Sequence, residues 1–192
     1  KLPSPPRLLF NADGVRALKQ RIEEHDWAQA LWDSTRMRAD SLLTADAEIP
    51  PRGGNWWHWY MSPKTGSALE KGKLIAPWTW EHIDPLNGDV YLGDKSNPEK
   101  DYDGVVILLT HGLRARAIRD LGVAYQVTGE RRYAEKARGM LLDYSRIYPT
   151  YPLHDTRGRT GQGASRMSAH PLDESSWLTS LTQGADLVWD VL

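Results

Sequence analysis

The chain has no cysteine among its 192 residues, which excludes disulfide bridges and thiolate metal sites while leaving the compartment open. It also lacks an apolar run of membrane-spanning length; the stretch from Val105 to Leu109 is far too short. An excess of one charge is missing as well. Lys plus Arg number 24 against 25 Asp plus Glu, a balance that points to no nucleic-acid or membrane partner, so a polyanionic ligand has to be held by local cations. Phenylalanine is nearly absent, one residue against nine tryptophans. Tryptophan joins a large apolar face to an N–H that needs a partner, and so suits surfaces that are apolar yet wet. The opening Lys1-Leu2-Pro3-Ser4-Pro5-Pro6 has no signal-peptide core. It looks like the proline-rich lead left after a signal is removed, from which we expect a periplasmic or secreted protein.

At this length the chain holds either one domain with a well-buried core or a piece of a larger one. It turns around Gly53-Gly54-Asn55-Trp56-Trp57-His58-Trp59-Tyr60. A helix would space these aromatics onto one face and a half-buried strand would alternate them with polar residues, but here they are interleaved almost without gaps. The glycine pair favours a loop or bulge. We expect a concave wall of ring faces with polar edges, suited to stacking on sugars.

Asn11 or Asp13 can cap a helix beginning near Val15, with Val15, Leu18 and Ile22 at helical spacing. A second helix is expected from Asp26, striped by Trp27, Ala30, Leu31, Met37, Leu42 and Leu43 and ending before Pro50-Pro51. From Met61 to Asp103 glycines and prolines recur too often for any long element. Trp78, Trp80, Tyr91 and Tyr102 argue against disorder there, so an ordered, irregular excursion is expected. Leu109, Leu113, Ala117, Leu121, Ala124 and Tyr125 then stripe a helix from Val105 to Thr128, which Gly129 stops. Tyr133, Ala137, Met140, Leu141, Tyr144 and Ile147 stripe the next one, before Pro149. Two long helices on so short a link lie antiparallel. After a glycine-rich loop, a last helix is expected near Leu172, with Asp173 and Glu174 in its first turn and Trp177, Leu181, Ala185, Val188 and Trp189 inward. The uncapped apolar end at Leu192 suggests a fragment of a longer chain. Helix hairpins arranged in a ring would gather their loops at one end as a cleft.

Taken in order, Pro6-Arg7-Leu8-Leu9-Phe10, the Gly53–Tyr60 stretch, the run from Arg119-Asp120-Leu121-Gly122 to Arg132-Tyr133-Ala134, and Leu172-Asp173-Glu174-Ser175-Ser176-Trp177-Leu178 resemble the N-terminal part of heparinase II/III-like polysaccharide lyases, alginate lyase-like relatives included. The likeness covers most of the chain. Its Ala-Tyr-x-x-Thr-Gly-Glu-x-x-Tyr-Ala hairpin is common to many helical toroids acting on sugars; the Leu-Asp-Glu run and the aromatic stretch narrow it. The resemblance implies an all-α fold in which residues 1–192 are a single N-terminal portion of an incomplete (α/α) toroid, with β-sheet domains downstream. It implies β-elimination on uronate glycans such as heparan sulfate or alginate. In such enzymes an Asn or His neutralises the uronate carboxylate, a His or Tyr takes the C5 proton, and a Tyr protonates the leaving oxygen. By this resemblance those catalytic residues lie beyond Leu192, and neither cofactor nor metal is expected. Many relatives carry Cys-Pro pairs where this chain has Ser62-Pro63 and Asp84-Pro85, so a thiolate metal knuckle is absent.

β-Elimination needs donors facing the carboxylate and an acid and base tuned toward working pH. The candidate substrate contacts within the chain are Asn55, Trp57, His58 and Tyr60 on the wall, and Arg166, His170 and Glu174 at four-residue intervals. The plainer readings are that the tryptophans are core rings and His58 serves a backbone carbonyl, and that Glu174 serves its helix N-terminus while Arg166 meets a surface acid. Four-residue spacing brings side chains together only on a helix, which Pro171 opposes before Leu172. His111 reads as a satisfied core histidine. Tyr151, His154 and Asp155 either reach substrate or lock their loop, and Arg114, Arg116, Arg119, Arg131 and Arg132 read as a solvated face. The expected partner is an acidic polysaccharide or oligosaccharide. The rival functions are a glycoside hydrolase, which would need a carboxylate pair such as Asp155 and Glu174, and a non-catalytic glycan-binding module.

Overall fold

The computed structural model describes residues 4–192, so the Lys1-Leu2-Pro3 part of the expected export lead lies outside the described residues. Five helices, α1 (Ala12–Glu24), α2 (Asp26–Thr44), α3 (Tyr102–Thr128), α4 (Arg131–Ile147) and α5 (Pro171–Leu187), account for most of the regular structure. The chain divides into two compact units. One holds the residues up to Ile49 with Leu113–Ser145 and Trp177–Leu192; the other holds Pro50–Gly112 and Arg146–Ser176.

The first unit is helical. Asn11 caps α1 by accepting the Gly14 N–H at 2.8 Å, as its position predicts. Only His25, extended at φ −134°, separates α1 from α2, and the two helices pack together. The inward face of α2 is Ala28, Trp32 and Ala39, not the expected stripe: Trp27, Leu31 and Met37 stand 61%, 63% and 70% exposed. The two sets are about one residue, or about 100°, apart on the helix, and Trp32 carries the larger burial. The face of α4 is as expected, with Tyr133, Ala137, Met140 and Tyr144 buried. It is tied to α2 where the Tyr133 hydroxyl donates to Asp40 Oδ1 at 2.6 Å and Lys136 Nζ donates to the Ala45 carbonyl at 3.0 Å. Gly129 ends α3 with φ +75°, its N–H bonded back to the Tyr125 carbonyl at 2.7 Å, the left-handed stop that glycine favours. In α5 Trp177 is buried against the edge of Tyr144, centroids 5.2 Å apart. Trp189, expected inward, lies in a 3₁₀ turn past the helix and is largely exposed.

The second unit is built on the first turns of α3, where Tyr102 and Val105 to Leu108 are buried with Leu69, Tyr151, Met167 and Ala169. The expected α3 stripe shifts here. Leu109 and Leu113 are exposed, because the buried face of α3 runs through Ile107, His111, Ala115, Ile118 and Leu121.

The fold is mostly helical rather than all-α, since the excursion after Met61 contains a three-stranded antiparallel sheet of order β1-β2-β3, with β1 Glu70–Ala76, β2 Thr79–Ile83 and β3 Val90–Leu92. The prolines and glycines expected to break long elements fall mainly in its turns. Pairing of Ala76 with Thr79 leaves Pro77-Trp78 as the link, with Trp78 at φ 57°. Two register shifts interrupt the β1–β2 ladder, and β1 is exposed along nearly its whole length. The strand therefore never shows the in–out alternation by which a sequence announces it.

Candidate functional site

The aromatic stretch is anchored by backbone contacts that leave no room for side chains. A Cβ on Gly53 would collide with the Arg166 carbonyl oxygen, and one on Gly54 with the backbone of Leu108. Close approach is what glycine supplies here. Gly54 N–H donates to the Met167 carbonyl at 2.7 Å and Asn55 N–H to the Gly104 carbonyl at 2.8 Å. The Asn55 amide is buried; its nitrogen donates to the Pro98 carbonyl at 2.5 Å and its oxygen accepts from Trp56 N–H at 2.7 Å. Asn55 thus holds the stretch in place.

The chain then enters a 3₁₀ turn at Trp57–Trp59, which turns the rings outward in sequence. Trp57 is 52% exposed, and its ring lies 3.7 Å from that of the exposed His58. The half-buried Trp56 is 4.5 Å from His58 and stacks at 15° on His170, centroids 6.2 Å apart. Trp57, His58, Trp56 and His170 therefore form one run of rings with polar edges, the kind of face that stacks on a sugar ring. Trp59 is an edge-on support behind Trp56, at 5.3 Å, and its indole N–H donates to the Thr156 carbonyl at 3.1 Å.

Tyr60 faces inward. Its hydroxyl lies 2.8 Å from His82 Nδ1, and His82 Nε2 lies 3.2 Å from Asp103 Oδ1, which also accepts Trp80 N–H at 2.9 Å. His82 and Asp103 are buried. Burial holds the His82 pKa below its ordinary value against the hydrogen bond and charge of Asp103 and the charge of Asp101, so the ring is neutral. The carboxylate only accepts, which places the ring proton on Nε2 and makes Nδ1 the acceptor of the Tyr60 proton. Burial and the Asp103 charge push the Tyr60 hydroxyl up to about 12. Its proton is committed to the interior.

Arg166 and Glu174 do not join the ring wall through their charged groups. Glu174 Oε2 accepts the backbone N–H groups of Arg166, Met167 and Ser168 at 2.8, 2.7 and 3.2 Å, and Oε1 accepts the Tyr148 hydroxyl at 2.5 Å. Burial, then the hydrogen bond and charge of Glu174, raises that hydroxyl to about 12. Arg166 donates to the carbonyls of Tyr151 and Pro149. Of the seven expected contacts, three (Trp57, His58 and His170) share the wall; Asn55, Tyr60, Arg166 and Glu174 hold it from behind.

The neighbouring loop is locked likewise. The buried Tyr151 hydroxyl donates to the Pro50 carbonyl at 2.5 Å, and His154 Nε2 meets the Gly54 carbonyl at 2.9 Å. Arg159 and the backbone of residues 157 and 159 hold the Asp155 carboxyl down at about 2, against its partial burial. His111 is a core histidine, as expected: fully buried, its Nε2 2.9 Å from the Arg52 carbonyl, and pulled by burial down to about 4 despite that hydrogen bond and the charge of Glu174. Sequence reasoning missed Arg52, His82, Asp101 and Asp103, because no spacing links residues that meet only through long-range folding. Among the described residues no group of three or more His, Asp or Glu side chains is placed to hold a metal ion.

No family model matches the chain. Part of it is nevertheless similar to lyases. It is 39% identical over 82 residues to an alginate lyase of Stenotrophomonas maltophilia, a match covering 43% of this chain and 11% of that protein. It is 36% identical over 93 residues to an exo-oligoalginate lyase of Saccharophagus degradans, covering 48% of this chain and 12% of that protein. The matched segment spans only about an eighth of those relatives or less.

Proposed function

We propose that this chain is the substrate-holding part of a polysaccharide lyase that cleaves an alginate-like, uronate-containing glycan by β-elimination. The observation that carries the proposal is the outward run of Trp57, His58, Trp56 and His170 in a chain partly similar to two alginate-degrading lyases. Ring faces stack on the apolar faces of the sugar while the imidazole edges offer hydrogen bonds to hydroxyl or carboxylate oxygens. In this reading the helix hairpins are the first portion of a heparinase II/III-like (α/α) toroid, exported to the periplasm or beyond. The groups that neutralise the carboxylate, remove the C5 proton and protonate the leaving oxygen lie past Leu192, with the β-sheet domains.

The glycoside hydrolase alternative is weakened by the fate of its nominees. Asp155 is spent on Arg159 and its own turn, and Glu174 on three backbone N–H groups and Tyr148, so neither is a free acid or base flanking a glycosidic bond. The test is digestion of alginate by the full-length enzyme. β-Elimination leaves a C4–C5 double bond, so absorbance in the ultraviolet should rise with chain cleavage; cleavage without that rise rules out the lyase reading.

A further inference from the structure

Within the loop-rich unit lies a cavity of about 200 Å³ that none of the wall's rings lines; Arg52, Asn55, Lys95, Asp101, His154 and Gly158 are among the residues that do. Nearly every charge around it is already matched. Arg52 grips Asp101 through both Nη atoms at 2.7 Å, and Asp101 also accepts Gly104 N–H at 3.0 Å. Asp155 is held by Arg159 Nε and Nη2 at 2.9 and 2.8 Å. The Asn55 amide is bound to Pro98 and Trp56, and the His154 nitrogens face the Pro152 and Gly54 carbonyls at 3.1 and 2.9 Å. Lys95 is the exception. It is exposed at the cavity rim and has no hydrogen-bond or ion-pair partner among the described residues.

The cavity therefore offers one unspent cation beside two charge-neutralised carboxylates: Asp155 is filled by four hydrogen bonds, while Asp101 Oδ2, bonded only to Arg52, keeps a lone pair free to accept a hydroxyl proton. A bare oxoanion would find the ammonium but would face Asp101 and Asp155, while a neutral sugar would leave Lys95 unused. A ligand with one carboxylate and a neighbouring hydroxyl donor satisfies both. The volume falls below the roughly 300–1,000 Å³ of sites for drug-sized ligands, which fits a single ring rather than a chain. We propose that this cavity binds one carboxylate-bearing sugar unit, with Lys95 pairing the carboxylate and Asp101 Oδ2 accepting a hydroxyl. The proposal rests on the glycan reading above for its biological ligand, and on the cavity alone for its chemistry.

The test is amide-resolved NMR titration of the chain with sodium glucuronate, glucose and sodium sulfate. Glucuronate should move the amides of Lys95, His154 and Gly158, with glucose and sulfate binding at least tenfold more weakly, roughly the worth of one charge-assisted hydrogen bond. The exposed Lys95→Gln change should weaken glucuronate by a similar factor, while Trp57→Ala leaves it unchanged. Sulfate binding as tightly as glucuronate, unmoved cavity amides, or a Lys95→Gln protein that binds like the parent would each overturn the proposal. A longer oligouronate that binds through Trp57 while glucuronate leaves the cavity untouched would sink the cavity alone; no binding of either would sink the glycan reading with it.

Discussion

The helical unit and the loop-rich unit bury different chemistry. Among the described residues, nine of the ten buried polar or charged side chains, all but Asp186, belong to the loop-rich unit. The helical unit is filled by alanines, Ile118, Leu121, Met140 and aromatic rings such as Tyr133, Tyr144 and Trp177. Apolar packing is non-directional and tolerates approximate shape. A polar interior stands only while each partner is present, because an orphaned buried group costs its full desolvation. The unit that presents the ring wall is thus held by specific bonds, a suitable frame for side chains that must stay in place.

The largest expected effect that sharpens this contrast is Leu121→Ala in the helical unit, which should cost about 4 kcal/mol in urea denaturation and leave the pH dependence of stability unchanged. In the loop-rich unit, Asp101→Asn should cost about 3 kcal/mol by stranding the Arg52 guanidinium, the low end for a broken buried pair because Arg52 keeps some solvent. A cost under about 0.5 kcal/mol would mean that this interior does not depend on its ion pair.

Acid should separate the units without any mutation. His111 is neutral in the fold with its pKa lowered to about 4, and His82 is lowered too, so between pH 6.5 and 4 the unfolded chain binds more protons than the folded one. Stability is then complete above pH 6.5 and falls as pH drops toward 4, by about 3 kcal/mol for His111. Hydrogen exchange should show amides of residues 50–112 losing protection first, since the helical unit has only His25. Uniform loss in both units would break the comparison. The smallest effect on stability is expected at the wall: Trp57→Ala should change it by less than about 0.5 kcal/mol, as its ring is half exposed, with any larger loss marking Trp57 as a core ring.

The same contrast explains what the sequence disclosed. The presence of α1, α2 and α4, the start of α2 at Asp26 and the Gly129 stop follow from caps, breakers and 3.6-residue periodicity, all local signals, although α1 begins at Ala12, before Val15, and α2 ends at Thr44, well short of Pro50. Which apolar face is buried was less legible, since Trp27, Leu31, Leu109 and Leu113 have helical spacing yet face outward; spacing defines a stripe, and only the packing partner selects among neighbouring stripes. The bulged, exposed β1 has no alternation to read. At the site, the interleaved aromatic run of Gly53–Tyr60 drew attention to Trp57 and His58, but the turn of Tyr60 toward His82 and Asp103, and the capture of the 166–168 backbone by Glu174, depend on contacts between distant segments or on a loop geometry that residue types do not encode.

The central claim, that the exposed rings hold an acidic glycan, is tested most directly by titrating an alginate oligosaccharide into the chain and following tryptophan fluorescence, with Trp57→Ala in parallel. Saturable binding that weakens roughly fivefold to tenfold in Trp57→Ala, with its denaturation midpoint unchanged, is the predicted result. Absence of saturable binding, or equal affinity in both proteins, would contradict it.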